Sequence, residues 1–187
     1  MWRAMAVAPN GDVYACVYDG DIYKQSGGAG AFVALNQTSC YWDGMAAAPN
    51  GDVYACVYGG DIYKQTGGTG VFAALNQTSR MWRAMAVAPN GDVYACVYNG
   101  DIYKQSGGAG AFQALNQTTR DWYGLAASPN GDVYACVYGG DIYKQTGGTG
   151  VFAALNQTSR IWQGMAAAPN GDVYACEING DIYKQTG

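Results

Sequence analysis

The stretch Ala8–Tyr18, APNGDVYACVY, is repeated almost unchanged along the chain and decides the fold. Its Pro-Asn-Gly-Asp element begins at five positions spaced 40 residues apart, which are Pro9, Pro49, Pro89, Pro129 and Pro169. A fixed period of this length is typical of repeat proteins, in which one unit is too small to fold alone and stacks on its neighbours. We therefore predict a single domain, 1–187, made of the repeats 1–40, 41–80, 81–120, 121–160 and an incomplete 161–187.

Turn sequences divide each repeat into four short segments. In the first repeat, 10–11 (Asn-Gly) and 19–20 (Asp-Gly) are hairpin signals, because these residues tolerate the positive φ that such turns need. The segments between the turns span 2–8, 12–18, 21–25 and 32–37. The middle two are rich in Val, Ile and Tyr, which favour strands. The outer two contain helix-favouring residues, but they are short and end at turns, so strands are favoured there as well.

Four antiparallel strands in about 40 residues are typical of one blade of a β-propeller. We predict an all-β fold, namely a five-bladed β-propeller with four-stranded antiparallel blades. A phenylalanine opens the fourth strand of four repeats, and 161–187 contains no counterpart of Phe32, Phe72, Phe112 and Phe152. The last blade is therefore predicted to lack its outer strand, and the open edge at 181–185 predicts self-association.

Composition and charge exclude several classes of protein. Apolar residues make up 49% of the chain, which argues against disorder. No apolar run approaches the ~20 residues of a membrane span, so we expect a soluble protein without membrane insertion. The net charge is −4 and the basic residues are scattered, so no nucleic-acid partner is expected. Cytoplasmic and secreted locations both stay open.

The residue types that usually carry out catalysis or bind metals are either absent or have a structural role in turns. The chain has no histidine, the commonest general base and zinc ligand. The repeated aspartates at the positions of Asp12 and Asp21 follow turn glycines, where a carboxylate caps backbone N–H groups. Five of the six cysteines are one position copied in every repeat, too far apart for disulfides between stacked sheets. We predict six reduced thiols, no enzyme activity, no metal and no cofactor.

Two repeat positions are candidates for a binding site. One is the tryptophan that opens the first strand of every repeat, at Trp2, Trp42, Trp82, Trp122 and Trp162. An indole offers a flat apolar surface and one N–H donor, which suits the apolar face of a sugar, and stacking between blades is the alternative. The other is the variable residue that follows it, at Arg3, Asp43, Arg83, Tyr123 and Gln163. Variable positions gathered at one end of a ring predict a multivalent binding face, and simple drift of exposed residues is the alternative.

The blade pattern resembles that of the tachylectin-type five-bladed propeller lectins. The matching features are a Trp, a bulky apolar residue, a Pro-Asn-Gly turn, an aromatic strand and an Asp-x-Tyr-Lys segment. In the first repeat these are Trp2, Met5, Pro9, Asn10, Gly11, Tyr14, Asp21, Tyr23 and Lys24, and the likeness extends over the whole chain. That family binds N-acetylated amino sugars between adjacent blades, so the resemblance implies a propeller fold with one such site per blade.

Two functions of different classes follow from these observations. The first is a non-enzymatic, multivalent carbohydrate-binding propeller whose partners are glycans. The alternative is a structural or assembly repeat protein, either designed or part of an adhesion or tail structure, with no small-molecule ligand. A glycan array distinguishes the two, because only the first predicts binding above background.

Overall fold

The computed structural model describes residues 1–186 and confirms a nearly all-β fold. The chain divides into two compact units, 1–85 and 86 onward, and the boundary falls within the strand Arg80–Val87. The helical segments of the described residues are 3-10 turns of three residues each. No helix in 1–186 is long and apolar enough to cross a membrane. The organisation as a single domain stays a prediction.

The strands are short and follow one another along the chain. The first unit contains β1 (Trp2–Val7), β2 (Val13–Gly20), β3 (Ile22–Gln25), β4 (Val33–Ala34), β5 (Cys40–Ala47), β6 (Val53–Gly60), β7 (Ile62–Gln65) and β8 (Ala73–Ala74), and β9 (Arg80–Val87) crosses the boundary. From the second unit come β10 (Val93–Val97), β11 (Ile102–Gln105), β12 (Gln113–Ala114), β13 (Trp122–Ala127), β14 (Val133–Gly140), β15 (Ile142–Gln145), β16 (Ala153–Ala154), β17 (Arg160–Ala167), β18 (Val173–Glu177) and β19 (Ile182–Gln185). The 3-10 turns are Ser26–Gly28, Thr66–Gly68, Ser106–Gly108 and Thr146–Gly148.

The strands of one repeat pair antiparallel in chain order, and we call the resulting sheet a blade. In blade 1, Val13 pairs with Gln25 across β2 and β3, and Tyr23 pairs with Ala34 across β3 and β4. Blades 2 and 4 repeat the same registers. Blade 5 consists of β17, β18 and β19, and no strand among the described residues pairs with the outer edge of β19. The prediction that the last blade lacks its outer strand is confirmed.

The fourth strand is much shorter than the segment 32–37 that the sequence predicts. In blade 1 the ladder ends after the Leu35 N–H donates to the Ile22 carbonyl at 2.8 Å. The next residue, Asn36, has a positive φ of 55°, and its N–H and that of Gln37 both donate to the Asp21 carboxylate at 2.7 Å. The aspartate therefore replaces the strand ladder, which confirms its predicted capping role.

Consecutive blades are also joined by short strand pairings at one end. Tyr18 at the end of β2 pairs with Tyr41 at the start of β5, and the two rings stack with centroids 4.8 Å apart. In the second unit, Tyr138 of β14 pairs with Ile161 of β17. Tyr41 and Ile161, which precede Trp42 and Trp162, therefore lie in strands, where their backbone holds one blade to the next.

The cysteines of the described chain are all free, as predicted. Cys16 is fully buried, and burial raises the pKa of its thiol to about 12. Cys40 is only half-buried. The Cys16 thiol is therefore protonated at neutral pH and fills space in the core, where a cysteine behaves as a small apolar residue.

Candidate functional site

The variable position of the first unit forms a buried ion-pair cluster. Asp43 lies between Arg3 and Arg83, with its Oδ1 3.4 Å from the Arg3 Nε and its Oδ2 2.7 Å from the Arg83 Nη1. Its side chain is only 5% exposed, and burial raises the pKa of the Asp43 carboxyl even though both guanidinium groups oppose this. Residues that are 40 positions apart in the sequence therefore contact one another across successive blades.

The two arginines are held by tyrosines as well as by Asp43. The Arg3 Cζ lies 4.6 Å from the centroid of the Tyr18 ring, and the Arg83 Cζ lies 5.4 Å from that of Tyr58. A guanidinium over an aromatic face is a favourable cation–π arrangement. These contacts make the three residues part of the packing between blades, and their role in ligand binding stays a prediction.

Tyr123 and Gln163 occupy the same repeat position in the second unit. The Tyr123 ring packs against Tyr138 with centroids 5.2 Å apart, and Gln163 is half-buried at the start of blade 5. Neither is charged, so the ionic cluster of Arg3, Asp43 and Arg83 has no counterpart there. The five side chains at this position therefore have different contacts, and their role in a sugar site in each blade stays a prediction.

The tryptophans fall into two groups with opposite environments. Four are buried, with 1–2% of their surface exposed, at Trp42, Trp82, Trp122 and Trp162. Trp42 packs edge-on against Tyr63 at 5.0 Å and lies 6.5 Å from the Phe72 centroid. Trp2 is 57% exposed. The four buried indoles pack in the core, as the stacking alternative expects, and a role of the tryptophans in sugar binding stays a prediction.

The carboxylate of the aspartate in each Pro-Asn-Gly-Asp turn binds several partners within its own blade. In blade 2, Asp52 accepts the N–H of Gly67 at 2.8 Å, and its Oδ2 lies 2.6 Å from the Lys64 Nζ. The Asn50 side chain bridges the turn, donating to the Asp52 carboxylate and accepting the Asp52 N–H. The described residues contain no group of three or more acidic, Cys or His side chains that could hold a metal. These repeated charges stabilise the turns.

Stability is expected to fall as the pH drops below about 4, because these turn aspartates titrate there. The Lys24 ammonium and the Gly27 N–H hold the pKa of Asp12 below its usual range. Burial opposes the shift at the three counterparts, but the Lys and Gly partners outweigh it and lower their pKa as well, at Asp52, Asp92 and Asp132. A depressed folded-state pKa gives stability above the unfolded value of about 3.9 that is lost as the pH falls through the folded value.

Urea unfolding measured at several pH values between about 3 and 6 tests this expectation. Asp52→Asn removes one such carboxylate, so the unfolding free energy of that variant should depend less steeply on pH than that of the parent. The raised pKa of Asp43 has the opposite effect on the pH dependence of stability. It is a single group, however, whereas four turn aspartates have a lowered pKa. A stability that is constant or that rises on acidification would contradict the assignment.

The blades stack through two different apolar faces. The sequence pattern alone does not show which face contacts the preceding blade and which contacts the following one. We call the face that packs on the preceding blade the leading face, and in blade 2 it includes Trp42, Met45 and Val53. The opposite one is the trailing face, and in blade 1 it includes Ala6, Tyr14 and Cys16, which contact that leading face of blade 2 in one core cluster. The period-two alternation along β1 and β2 generates the two faces.

Both kinds of face are uncovered at opposite ends of the chain. On the leading face of blade 1, Trp2, Met5 and Val7 are 57%, 62% and 66% exposed, whereas Trp42 and Met45 in blade 2 are 1% and 5% exposed. On the trailing face of blade 5, Ala166 is exposed and Cys176 is half-buried, although their counterparts Ala46 and Cys56 are buried. The same residue types are therefore exposed in the first and last blades and buried between stacked blades.

A pocket lies at the outer rim of blade 5, in the second unit. Its floor is apolar, formed by Trp162, Met165, Val173 and Ala175. Tyr183 of β19 and residues 157–158 of the preceding blade also line it. None of the predicted site residues except Trp162 contributes to it, and no sequence motif marks it, because it exists where a repeat element is missing.

Comparisons with known proteins identify the fold. No family model matches the sequence, and none of the curated proteins matches it. Among solved structures, a streptogramin B lyase is 15% identical with a TM-score of 0.74, covering 99% of this chain and 68% of that one. XC5397 from Xanthomonas campestris, described as a gluconolactonase, is 12% identical with a TM-score of 0.76, covering 99% of this chain and 72% of that one. The computationally designed protein Ika8 is 18% identical with a TM-score of 0.69, covering 94% of this chain and 55% of that one.

At these identities the likeness shows the fold alone. The chain has the antiparallel strands and the fold of β-propeller proteins, which confirms the predicted fold class. The number of blades in a ring stays a prediction, and so does the likeness to tachylectin-type lectins in particular. What the lyase and the lactonase act on is a property of those proteins.

Proposed function

We propose that this protein is a non-enzymatic structural repeat protein whose copies assemble by stacking blade on blade. The leading face of blade 1 in one copy docks on the trailing face of blade 5 in another. The observation that carries the proposal is the exposure of Trp2 and Met5, whose counterparts Trp42 and Met45 are buried in the interior of the same chain.

The contacts between blades inside the chain show which surface would cover each exposed face. Between blades 1 and 2, Trp42 and Met45 of the leading face pack on Ala6, Tyr14 and Cys16 of the trailing face. Between blades 4 and 5, Trp162 and Met165 pack in the same cluster as Cys136 and Ile142. A contiguous apolar patch of this kind favours association. Because the two faces differ, the contact is heterologous and links copies head to tail.

The repeated polar residues support a structural role over catalysis. The turn aspartates bind lysines and backbone N–H groups within their own blade, and Asp43 binds two arginines. General acid–base catalysis needs a titratable group that can reach a substrate. These carboxylates are occupied by partners of the fold, so we infer that the protein acts without enzymatic chemistry.

Native mass spectrometry and light scattering across a range of concentrations test the assembly. Trp2→Glu places a charge on the leading face and should abolish association, and Ala166→Arg should do the same on the trailing face. A matched control is Val151→Glu, because Val151 is 73% exposed but lies in a loop outside both faces. Mixing the two face variants should give a 1:1 complex and nothing larger, because each retains one intact face. A parent protein that stays monomeric at all concentrations would overturn the proposal.

Carbohydrate binding is the second candidate function, and one observation favours it. Trp2 presents an exposed indole, a surface that suits the apolar face of an N-acetylated amino sugar. The proposal here is a single site per chain rather than one per blade. A glycan array with the parent protein should then show binding that Trp2→Ala abolishes and Trp2→Phe retains. No signal above background, with assembly intact, would reject this candidate and leave the structural role.

A further inference from the structure

The pocket at the rim of blade 5 is the position that an outer strand fills in the other blades. In blade 4, Phe152 is 7% exposed and its ring lies 6.2 Å from that of Trp122. In blade 2, Phe72 packs in the same way against Trp42 at 6.5 Å. In blade 5, Trp162 retains its edge-on contact with Tyr183 at 5.3 Å and lines the pocket. A phenylalanine in that pocket would complete the packing seen in the other blades.

The outer edge of β19, which lies beside the pocket, is also uncovered. Gln65, Gln105 and Gln145 at the ends of the third strands are buried, and each donates to a glycine carbonyl in the loop before the outer strand, whereas Gln185 in β19 is exposed. Lys184 does little to shield the edge, since its Nζ lies 2.7 Å from the Asp172 carboxylate within the blade. An exposed strand edge with an apolar flank is a template for a further strand.

The preceding blade holds the polar group that an incoming strand would need. The Phe72 N–H donates to the Gln37 Oε1 at 3.1 Å, and the Phe152 N–H donates to the Gln117 Oε1 at 3.0 Å. In each pair the glutamine belongs to the blade before. Gln157 is the corresponding residue before blade 5, where it lines the pocket and is exposed, whereas Gln37 and Gln117 are half-buried.

Further groups anchor the loop that leads into the outer strand. The Tyr94 hydroxyl and the Lys104 Nζ donate to the Gly148 carbonyl at 3.2 and 3.3 Å. In blade 1 the corresponding donors, Tyr14 and Lys24, reach the Gly68 carbonyl. Tyr134 and Lys144 occupy this position before blade 5. The Asp181 carboxylate is the counterpart of Asp141, which accepts the N–H groups of Asn156 and Gln157.

We propose that blade 5 binds an extended peptide with the sequence of this chain's own outer strands, of which 148–158 (GTGVFAALNQT) is an example. The peptide adds a fourth strand beside β19, with its Phe in the pocket. Main-chain hydrogen bonds supply affinity and the aromatic pocket supplies specificity, as in other cases of strand addition. The inference does not depend on the proposed stacking of copies, because the pocket lies between blades 4 and 5, whereas copies would stack through the leading face of blade 1 and the trailing face of blade 5.

Fluorescence anisotropy with a labelled, end-capped peptide of 148–158 tests the inference on the full chain. Replacing the peptide's Phe with Ser should weaken binding about 10- to 100-fold, because burial of a Phe side chain supplies most of the apolar contact. Gln157→Ala in the protein should weaken it about 5-fold through loss of one hydrogen bond. The matched control is Gln37→Ala, which alters the same contact at a blade that is already complete. Bound peptide should slow amide exchange in β19.

The outcomes separate this inference from the proposed function. Running the titration on the Trp2→Glu variant removes the stacking of copies, so binding there supports the strand site whether or not the parent assembles. Equal affinity for the Phe-to-Ser peptide, protection outside blade 5, or no binding at millimolar peptide would each overturn the inference. Assembly of the parent without peptide binding would overturn this inference alone.

Discussion

Replacing Trp122 with alanine is expected to destabilise the protein by about 3–5 kcal/mol, the usual cost of removing a large aromatic side chain from a core. Trp122 is 1% exposed, and its ring contacts Tyr143 at 5.1 Å and Phe152 at 6.2 Å. Its buried indole N–H has no hydrogen-bond partner among the described residues. The stabilisation therefore comes from packing, and Trp122→Phe should cost much less. The measurement is urea unfolding followed by circular dichroism.

Trp2→Ala is the matched control, because the same residue type at the same repeat position is 57% exposed. Its unfolding free energy should change by less than about 1 kcal/mol when measured at a concentration where the copies are separate. An equal loss in both variants would contradict the burial difference. The pair of variants also separates stability from association, because only Trp2 lies on an uncovered face.

The turns and strands were predictable because their chemistry is local. Asn10 closes its turn through its own side chain, accepting the Asp12 N–H at 3.1 Å, and Gly11 adopts a φ of 84°. The variation among Asp19, Gly59 and Asn99 also has a local cause. All three have positive φ, between 51° and 73°, a conformation that Gly, Asn and Asp adopt more readily than other residues. What looks like free drift in the sequence is restricted by the backbone.

The candidate site was less predictable because its contacts run between repeats. Arg3, Asp43 and Arg83 look like unrelated substitutions when each repeat is considered alone. Stacking places them side by side as an ionic cluster in which each charge has a partner. Buried ion pairs can specify which surfaces pair rather than add stability. The environment of a repeated residue is likewise set by its neighbours, so the sequence could not distinguish Trp2 from Trp42.

The pocket at the rim of blade 5 could be predicted from the sequence only in part. The missing strand was visible in the sequence, because four repeats contain a phenylalanine that the fifth lacks. Which groups that strand would contact was not visible, because Gln157 belongs to the preceding repeat and Trp162 to the start of its own. Such a site becomes apparent only when a complete blade and an incomplete one are compared in three dimensions.

Replacing Gly44 with alanine is expected to cost at least about 1–3 kcal/mol, the range for inserting atoms into a packed core. A Cβ at Gly44 would lie 2.8 Å from both the Ala84 Cα and the Arg83 carbonyl oxygen in the next blade. Both are backbone atoms, so relief requires the two blades to separate. Gly44 does not have a positive φ, so the cost comes from crowding between blades rather than from backbone strain. Thermal unfolding of the variant measures it.

Gly164→Ala is the matched control at the same repeat position in blade 5. There the nearest atom to the added Cβ is the Cys176 Sγ at 3.5 Å, an ordinary contact, and no following blade lies against it in the described chain. This variant should be neutral or gain about 0.4–1 kcal/mol, because alanine has less conformational freedom to lose on folding. Opposite signs for the same substitution at Gly44 and Gly164 would show that crowding against the next blade requires glycine at position 44. Equal effects would contradict the 2.8 Å approach of the added Cβ to Ala84 and Arg83, because Gly164 has no such neighbour among the described residues.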